Sequence, residues 1–356
     1  KREERFKRWL SPLDVEFSSP EAEDAYKERV TRCIKVIKLE EPDRVPVMLP
    51  AGFLPAFYAG GTLKTSMYDY DELKRAWLKF LNDFEMDTFA GPGFVLPGRM
   101  LDSIDYKFHH WPGHGLADDS SSYQFIEGEY MTSDEYDAFA RNPADWLLRA
   151  YLPRAAGAFA GLQKLGPLTP FIGIPVYYIS QFGDPEVRAA VQALLDAGLE
   201  GAKWQAAIAE VGQAAREAGV PSLSGGLCGA PFDLMSDMMR GTKGIMLDMY
   251  RRPAKIIESM ERLVPILIDE AVGAADASGV PVIFMPLHKG TGGFMSNEQF
   301  ETFYWPTLKA VMLGLIDEGL VPLPFAEGDY NPRLEIIKDM PRGKVVWYFE
   351  VMDMAK

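Results

Sequence analysis

The stretch Val280-Pro-Val-Ile-Phe-Met-Pro-Leu287 decides the fold, together with Leu320-Val-Pro-Leu-Pro-Phe325. Each is a short and nearly continuous apolar run, which is typical of a strand buried on both faces of a parallel sheet. Residues 297–318, which lie between them, have the length and apolar spacing of a helix. A strand, a helix and a second strand in this order predict an α/β fold with a parallel sheet.

The same rhythm extends over most of the chain and predicts six strands, near residues 45, 86, 221, 281, 321 and 345. A (β/α)₈ TIM-type barrel needs two more strand–helix units. Because the sequence stops at Lys356, where the next helix should run, either the sheet is open or a C-terminal segment is missing, and we favour the second. We therefore expect an N-terminal helical extension over 1–40 and a barrel over 41–356, with a hairpin insertion at about 100–131 and a helical insertion after it.

The hairpin is predicted from rough alternation in two segments, 104–110 and 122–131, with turn residues between them. Its turn, His109-His-Trp-Pro-Gly-His114, contains three of the four histidines of the chain. We expect a lid or pocket wall over the C-terminal rim, with His110, Trp111 and His114 contacting substrate. The alternative is an exposed turn whose tryptophan fills an apolar gap. A metal site on His110 and His114 is disfavoured, since the Pro-Gly between them prevents the helix that their spacing requires.

Composition excludes several classes of function. The chain of 356 residues has 37 Lys+Arg against 51 Asp+Glu, a formal charge of −14, which leaves no general source of attraction for nucleic acid. Cys33 and Cys228 are too few for a disulfide framework and have no cluster of further ligands around them. The charged start of the sequence leads into no apolar run, and no apolar run reaches membrane-spanning length, so we expect neither an export signal nor a membrane span. These features predict a cytoplasmic protein that binds neither nucleic acid nor a membrane.

Several segments, in their order along the chain, resemble the uroporphyrinogen decarboxylase superfamily, whose members are (β/α)₈ barrels. The resemblance covers roughly 29–356 and is weakest around 100–217. The matching segments are Arg29-Val-Thr-Arg-Cys-Ile34, Asp43-Arg-Val-Pro-Val47, Ala51-Gly52, Gly229-Ala-Pro-Phe-Asp-Leu234 and Met295-Ser-Asn-Glu-Gln-Phe-Glu-Thr-Phe-Tyr-Trp-Pro306.

The chain departs from the true decarboxylases of this superfamily at two places. Those enzymes carry an Arg-Gln-Ala-Gly-Arg signature after the first strand, where the arginines hold substrate carboxylates by bidentate ion pairs. This chain has Leu49-Pro-Ala-Gly-Phe53 there. The essential aspartate that ends the second strand of the decarboxylases is also missing from Phe89-Ala-Gly-Pro92. The resemblance therefore favours the other large branch of the superfamily over porphyrinogen decarboxylation.

That other branch consists of methyltransferases that pass a methyl group to or from a corrinoid carried by a separate protein. They typically bind zinc through a His-x-Cys pair at the end of the fifth strand and a later cysteine. Here the pair's place reads Phe325-Ala-Glu327, and the later cysteine would lie beyond the end of the sequence. The thiolate site of the branch is thus not carried over.

Polar residues at strand ends suggest a different site. His288, Glu327 and Glu350 end three successive predicted strands, whose carboxyl ends share one rim. They predict a metal site of nitrogen and oxygen ligands, with zinc as the expected ion and Asp329 or Asp353 as substitutes for Glu350. We expect His288 and Glu327 to be catalytic as well. The alternative is that His288 bonds to the following glycine loop while Glu327 caps a helix or pairs with an arginine.

Oxygen ligands favour a donor whose methyl group leaves oxygen, since an ether can be polarised by a metal or protonated by a carboxylic acid. The leading hypothesis is therefore a corrinoid-linked methyltransferase that acts on a methyl ether or methanol and docks a separate cobalamin-binding protein. Tyr177 and Phe232 are further candidates for contact with substrate. The alternatives are a divergent decarboxylase of a porphyrin-like substrate and a ligand-binding barrel without catalysis. The sequence leaves the oligomeric state open, with a homodimer among the alternatives.

Overall fold

The computed structural model describes residues 1–12, 15–167 and 178–353. Its strands are β1 (Met48–Leu49), β2 (Thr88–Phe89), β3 (His109–Pro112), β4 (Gly115–Leu116), β5 (Gln124–Phe125), β6 (Gly226–Leu227), β7 (Val282–Leu287), β8 (Val321–Asp329) and β9 (Tyr348–Val351).

The strands predicted near residues 45, 86, 221, 281, 321 and 345 are parallel neighbours in that order. β1 pairs with β2, and β6, β7, β8 and β9 form a four-stranded parallel sheet. A parallel bridge between Phe89 and Ser222 joins the two groups, although regular pairing is interrupted there. Over the described ranges these strands do not close into the expected eight-stranded barrel. The α/β class and the parallel order are confirmed.

Helices cover the strands and connect them. Several begin at a serine, threonine, asparagine or aspartate whose side chain accepts a backbone N–H bond; Ser19, followed by Pro20, is one. The α-helices are Arg2–Leu10, Pro20–Ile37, Leu54–Tyr58, Leu63–Tyr68, Tyr70–Asp83, Gly98–Ile104, Tyr136–Arg141, Pro143–Trp146, Leu152–Ala155, Pro185–Glu217, Pro231–Asp233, Gly241–Arg251, Pro253–Ser278, Asn297–Gln299, Trp305–Asp317 and Leu334–Ile337. Three π-helical segments continue such helices, Leu147–Tyr151, Leu234–Arg240 and Phe300–Tyr304, and 3₁₀ turns occur at Pro92–Phe94, Gly157–Lys164, Ser180–Gly183 and Asn331–Arg333.

The outer face of the sheet packs against helices. Ile283, Met285 and Leu287 of β7 are completely buried in the largest apolar cluster, together with side chains of the helices Pro253–Ser278 and Trp305–Asp317. Since side chains alternate along a strand, the remaining residues of β7 point to the opposite, inner face.

The inner face of the sheet is lined by a different set of side chains. The register pairs Pro286 with Phe325 and Phe325 with Tyr348, and the rings of Phe325 and Tyr348 stack at 4.6 Å. Near the start of the strands this face is covered by the N-terminal helices, whose Phe6, Trp9 and Tyr26 share a cluster with Val282 and Val321. Positions 288, 327 and 350 lie two residues farther along the chain than Pro286, Phe325 and Tyr348, at the carboxyl end of the strands, where the pairing of β8 with β9 shifts by one residue between Ala326 and Asp329. The sheet therefore positions one candidate site at its carboxyl edge.

The insertion between β2 and β6 contains the expected antiparallel pairing, but over a short length. His109 and His110 pair with Phe125 and Gln124. The strands are shorter than the predicted 104–110 and 122–131, because the chain turns back at once: Trp111 and His114 exchange both backbone hydrogen bonds, and Gly113 has φ +86°. The segment lies against residues that follow β1 and β2, since the ring of Tyr123 contacts Phe53 at 4.9 Å and its hydroxyl accepts from Leu96 N–H.

None of the helices in the described part of the chain combines the length and the apolar character that crossing a membrane requires.

Candidate functional site

His288 follows β7 directly and reaches toward two carboxylates. Its Nδ1 lies 2.7 Å from Oδ2 of Asp237, and its Nε2 lies 3.7 Å from Oε1 of Glu327. The side chains of His288 and Glu327 are 41% and 39% exposed, so a ligand can reach both. Asp237 is only 12% exposed, so it is the most buried of these three side chains.

Glu327 and Glu350 are neighbours on β8 and β9. Oε2 of Glu350 accepts a hydrogen bond of 2.7 Å from the backbone N–H of Gly328. The backbone of Gly328 has φ +80°, in the left-handed region that glycine adopts without strain. Glu350 is therefore held by the β8 backbone, while Glu327 faces His288.

A second aspartate holds the backbone of the loop that carries His288. Asp233 is 4% exposed, and its two oxygens accept from His288 N–H and Lys289 N–H, each at 2.9 Å. The buried hydroxyl of Tyr304 donates a third bond to Asp233, at 2.7 Å. Three donors on one carboxylate fix the position at which the chain leaves β7.

The far side of the same loop is held by Arg333, which is 1% exposed. Its guanidinium donates to Asn297 Oδ1 and to three backbone carbonyl groups, among them Gly290 O at 3.0 Å. Gly290 must be glycine here, because a Cβ atom would lie 2.1 Å from the hydroxyl of Tyr330. The loop 288–296 is thus clamped at both ends.

The neighbouring charges change the proton affinities of the site. The hydrogen bond to Asp237 raises the pKa of His288 against the effect of burial, and the charge of Asp233 acts in the same direction. Burial raises the pKa of Glu327, and the charges of Glu350 and Asp237 raise it further, whereas His288 opposes them. Burial also raises the pKa of Asp233 to about 6. Both His288 and Glu327 therefore keep their protons to higher pH than an ordinary histidine and an ordinary glutamate do.

The arrangement does not fit the expected zinc site as the side chains lie. In the described residues, no group of three His, Cys, Asp or Glu side chains is placed to hold a metal ion. Of the predicted ligands, His288 and Glu327 approach each other, but Glu350 is engaged by Gly328 N–H. Zinc at His288, Glu327 and Glu350 stays a prediction, and we assign no step of the reaction to a metal.

The histidines of the hairpin lie in a different environment from His288. Trp111 is completely buried, and its indole N–H donates to the hydroxyl of Tyr68 at 3.0 Å. His114 stacks on Trp111 at 4.1 Å and has its Nδ1 3.5 Å from Asp102. His110 lies beside Gly115, where a Cβ would meet the imidazole at 2.1 Å. The structure thus gives Trp111 the gap-filling position that was the alternative interpretation.

Of the other two predicted substrate contacts, the structure describes only one. Phe232 is completely buried and packs against Tyr304, with their ring centroids 5.7 Å apart. Tyr177 lies outside the described residues. A role for these five side chains in binding substrate stays a prediction.

Sequence reasoning missed the partners of His288, although a signal was present. Asp233 and Asp237 are spaced by four residues on one helical segment, which places two like charges on the same face. Such a pair destabilises an isolated helix by a few tenths of a kcal/mol, so it indicates that another element supplies donors. Which element supplies them could not be read from the pattern.

Fold and site together define a parallel α/β protein whose acid–base residues gather at the carboxyl ends of the strands, the usual place for active sites in barrels of this class. The sequence profile of the Uroporphyrinogen decarboxylase (URO-D) family matches residues 172–355, and the chain belongs to this family. Members of the family are enzymes, either decarboxylases or methyltransferases. No curated protein sequence matches the chain. The family match confirms the superfamily indicated by the sequence motifs.

Proposed function

We propose that this chain is a corrinoid-linked methyltransferase that moves a methyl group from a small oxygen-linked donor, such as a methyl ether or methanol, to a separate cobalamin-binding protein. Family membership supports an enzyme of the decarboxylase or methyltransferase type. The segment after β1 favours the second, because Leu49 and Phe53, at the two positions where decarboxylases carry arginines, pack against an apolar cluster. A substrate with many carboxylates would find no guanidinium groups there.

The pairing of Glu327 with His288 is the observation that carries the proposal. Oxygen is a poor leaving group unless it is protonated as the methyl group departs, and a carboxylic acid of raised pKa is suited to that task near neutral pH. Glu327 has a raised pKa, is open to a ligand and lies at a strand end. In the thiolate-dependent branch a cysteine occupies this position, so the substitution replaces a soft metal ligand with a proton donor.

In the proposed reaction Glu327 gives a proton to the donor oxygen and receives another from His288. The corrinoid of the partner protein supplies the nucleophile that accepts the methyl group. As the C–O bond breaks, its electron pair stays on the donor oxygen, and the carboxyl proton of Glu327 passes to that oxygen, which gives an alcohol from a methyl ether and water from methanol. Nε2 of His288, 3.7 Å from Glu327, then returns a proton to the carboxylate. Asp237 stabilises the charged imidazole through Nδ1.

We further propose that the parallel strands belong to the eight-stranded barrel of the family, with residues 1–40 as an N-terminal extension. The order of the strands and the helices on their outer face support this. A crystal structure with the two groups of strands in unconnected sheets would contradict it. Zinc analysis of the purified chain, and of His288→Ala as its control, would test the metal prediction separately.

The function can be tested with free cob(I)alamin as a substitute acceptor. We expect the purified chain to convert cob(I)alamin to its methylated form with methanol or a methyl ether as donor, measured by the change in visible absorbance. Glu327→Gln should lower the rate by about 10²-fold or more, as expected for a lost general acid. Glu301→Gln, which alters an exposed glutamate of a neighbouring helix, is the matched control and should leave the rate unchanged.

Two outcomes would contradict the proposal. Release of carbon dioxide from a porphyrinogen, with no methylation of cob(I)alamin, would identify a decarboxylase. Absence of both reactions, with a bound small molecule that stays intact, would identify a ligand-binding protein.

A further inference from the structure

Two aspartates on one helical segment contact the same loop from the same side. Asp233 ends the helix Pro231–Asp233, and Asp237 lies one turn later in the π-helical segment Leu234–Arg240. Asp233 bonds to the backbone of His288 and Lys289, and Asp237 bonds to the side chains of the same two residues. A π-helical turn is uncommon and is frequent at functional sites. Here it brings both carboxylates to the carboxyl end of β7.

Asp237 determines how the imidazole is presented. A carboxylate can only accept, so the nitrogen at 2.7 Å from Asp237 Oδ2, Nδ1, carries a proton. Nε2 is then the nitrogen that gains and loses protons, and it is the one that faces Glu327. Carboxylates that bond the second nitrogen of a functional histidine fix its ring orientation and tautomer in this way.

Asp233 fixes the position of the His288 backbone. Charge-assisted hydrogen bonds are roughly twice as strong as neutral ones, and Asp233 accepts two of them from consecutive backbone N–H groups. The third donor, Tyr304, is itself completely buried. The Cα atom of His288 is thereby held relative to the helix that also carries Asp237.

We infer that Asp237 and Asp233 are positioning residues of the site: Asp237 holds His288 in the tautomer protonated at Nδ1, and Asp233 fixes the backbone from which the ring projects. The catalytic meaning of the arrangement rests on the proposed function. The tautomer of His288 and the exchange of the loop amides are measured without turnover. A result that contradicts the positioning roles can therefore be distinguished from one that contradicts the proposed function.

The first test reads the tautomer of His288 by nuclear magnetic resonance. In protein labelled with ¹⁵N-histidine at alkaline pH, couplings from the ring carbon-bound protons to the two nitrogens show which nitrogen is protonated. His288→Gln assigns the signals among the four histidines. We expect Nδ1 to be the protonated nitrogen in the wild type and Nε2 to become protonated in a large fraction of Asp237→Ala. An unchanged Nδ1 signal in Asp237→Ala would overturn the inference.

Two controls separate this role from a structural one. Asp102→Ala removes the carboxylate near His114, at 3.5 Å, and should leave the His288 signals in place. Lys289→Gln removes the ammonium group that lies 3.3 Å from Asp237 Oδ1. If the tautomer of His288 survives in Lys289→Gln, Asp237 acts on the histidine directly; if it is lost there, Asp237 serves the lysine and the inference is wrong.

The second test measures amide hydrogen exchange at His288 and Lys289. Both amides should exchange slowly in the wild type, although His288 is an exposed residue beyond the end of β7, because Asp233 accepts their protons. Fast exchange in the wild type would overturn the inference without any variant. In folded Asp233→Asn, whose amide offers one acceptor in place of two, we expect faster exchange at these two amides and unchanged exchange at Met285 within β7. Unchanged exchange at both loop amides would contradict the role of Asp233.

Discussion

Nδ1 of His288 lies 2.7 Å from Oδ2 of Asp237, which comes from a different strand–helix unit 51 residues earlier in the chain. Because this contact engages Nδ1, the ring nitrogen that stays available is Nε2, which points to Glu327. It also makes Nε2 the nitrogen of His288 that returns a proton to Glu327 in the proposed reaction.

His288→Ala should lower methyl transfer by about 10²-fold or more, because Glu327 loses the group that returns its proton. The fold should persist, since His288 is exposed at the rim and contributes little to the core. Initial rates with cob(I)alamin measure the first effect and circular dichroism the second. Glu301→Ala, at an exposed residue of a neighbouring helix, is the control and should keep the wild-type rate. A His288→Ala variant with the wild-type rate would remove His288 from the mechanism.

The rate should fall as pH rises through the pKa of Glu327. Its folded pKa is raised, so the protonated acid that donates to the leaving oxygen persists to higher pH than for an ordinary glutamate and is lost above that pKa. Glu327→Gln should remove this limb of the pH–rate profile. The profile of Glu301→Gln should match that of the wild type. A limb that remains in Glu327→Gln would assign it to another group.

Asp87→Asn should destabilise the fold by about 3 kcal/mol. Asp87 is completely buried and pairs with Arg32 and Arg44, and removing one partner of a buried ion pair costs about 3–5 kcal/mol. We take the lower end of that range because Arg32 keeps Asp43 as a second partner. Urea unfolding measures the change, and Asp119→Asn, on an exposed turn, should shift stability by less than about 0.5 kcal/mol.

The same pair predicts a pH dependence of stability. Burial alone would raise the pKa of Asp87, but the Val47 N–H bond and the charges of Arg44 and Arg32 hold it below its ordinary value. A carboxyl whose folded pKa is depressed stabilises the fold above its unfolded pKa, and this contribution is lost as pH falls through the folded value. Acid unfolding of Asp87→Asn should therefore be less steep than that of the wild type. Equal steepness would show that Asp87 does not contribute.

Trp111→Ala should destabilise the protein by about 3–5 kcal/mol, since a fully buried tryptophan is removed and a cavity remains. Phe125→Ala, at a partly exposed position of the same hairpin, should cost much less. Thermal unfolding compares the two variants. If Trp111→Ala instead keeps its stability and raises KM, the side chain contacts substrate, as the sequence suggested.

Gly290→Ala should displace the loop that carries His288. The added methyl group would meet Tyr330 Oη at 2.1 Å and Tyr304 at 2.9 Å, and overpacking of this kind costs about 1–3 kcal/mol. Gly293→Ala is the control in the same loop, because a Cβ there meets nothing within 4 Å. Stability and methyl transfer should both fall in Gly290→Ala and change little in Gly293→Ala. Equal effects of the two substitutions would contradict the close approach.

The strands could be predicted because their signal is local. β7 and β8 are apolar runs of the right length, and the predicted segments contain or adjoin the observed strands. The insertion was predicted less well: alternation over 104–110 and 122–131 is also produced by irregular chain, and only two residues on each side pair antiparallel. Closure of a barrel depends on strand tilt and stagger, which no local pattern encodes.

The sequence by itself determined that positions 288, 327 and 350 lie at one edge of the sheet, because the carboxyl ends of parallel strands share one rim. Only the tertiary structure decided which groups they contact. In the structure Glu350 accepts a hydrogen bond from Gly328 N–H, Asp237 contacts His288, and Trp111 is buried against Tyr68. These contacts join segments that are far apart in the chain. Their geometry depends on how the helices and loops pack on the sheet. A shift of a helix by one turn would give its side chains different partners.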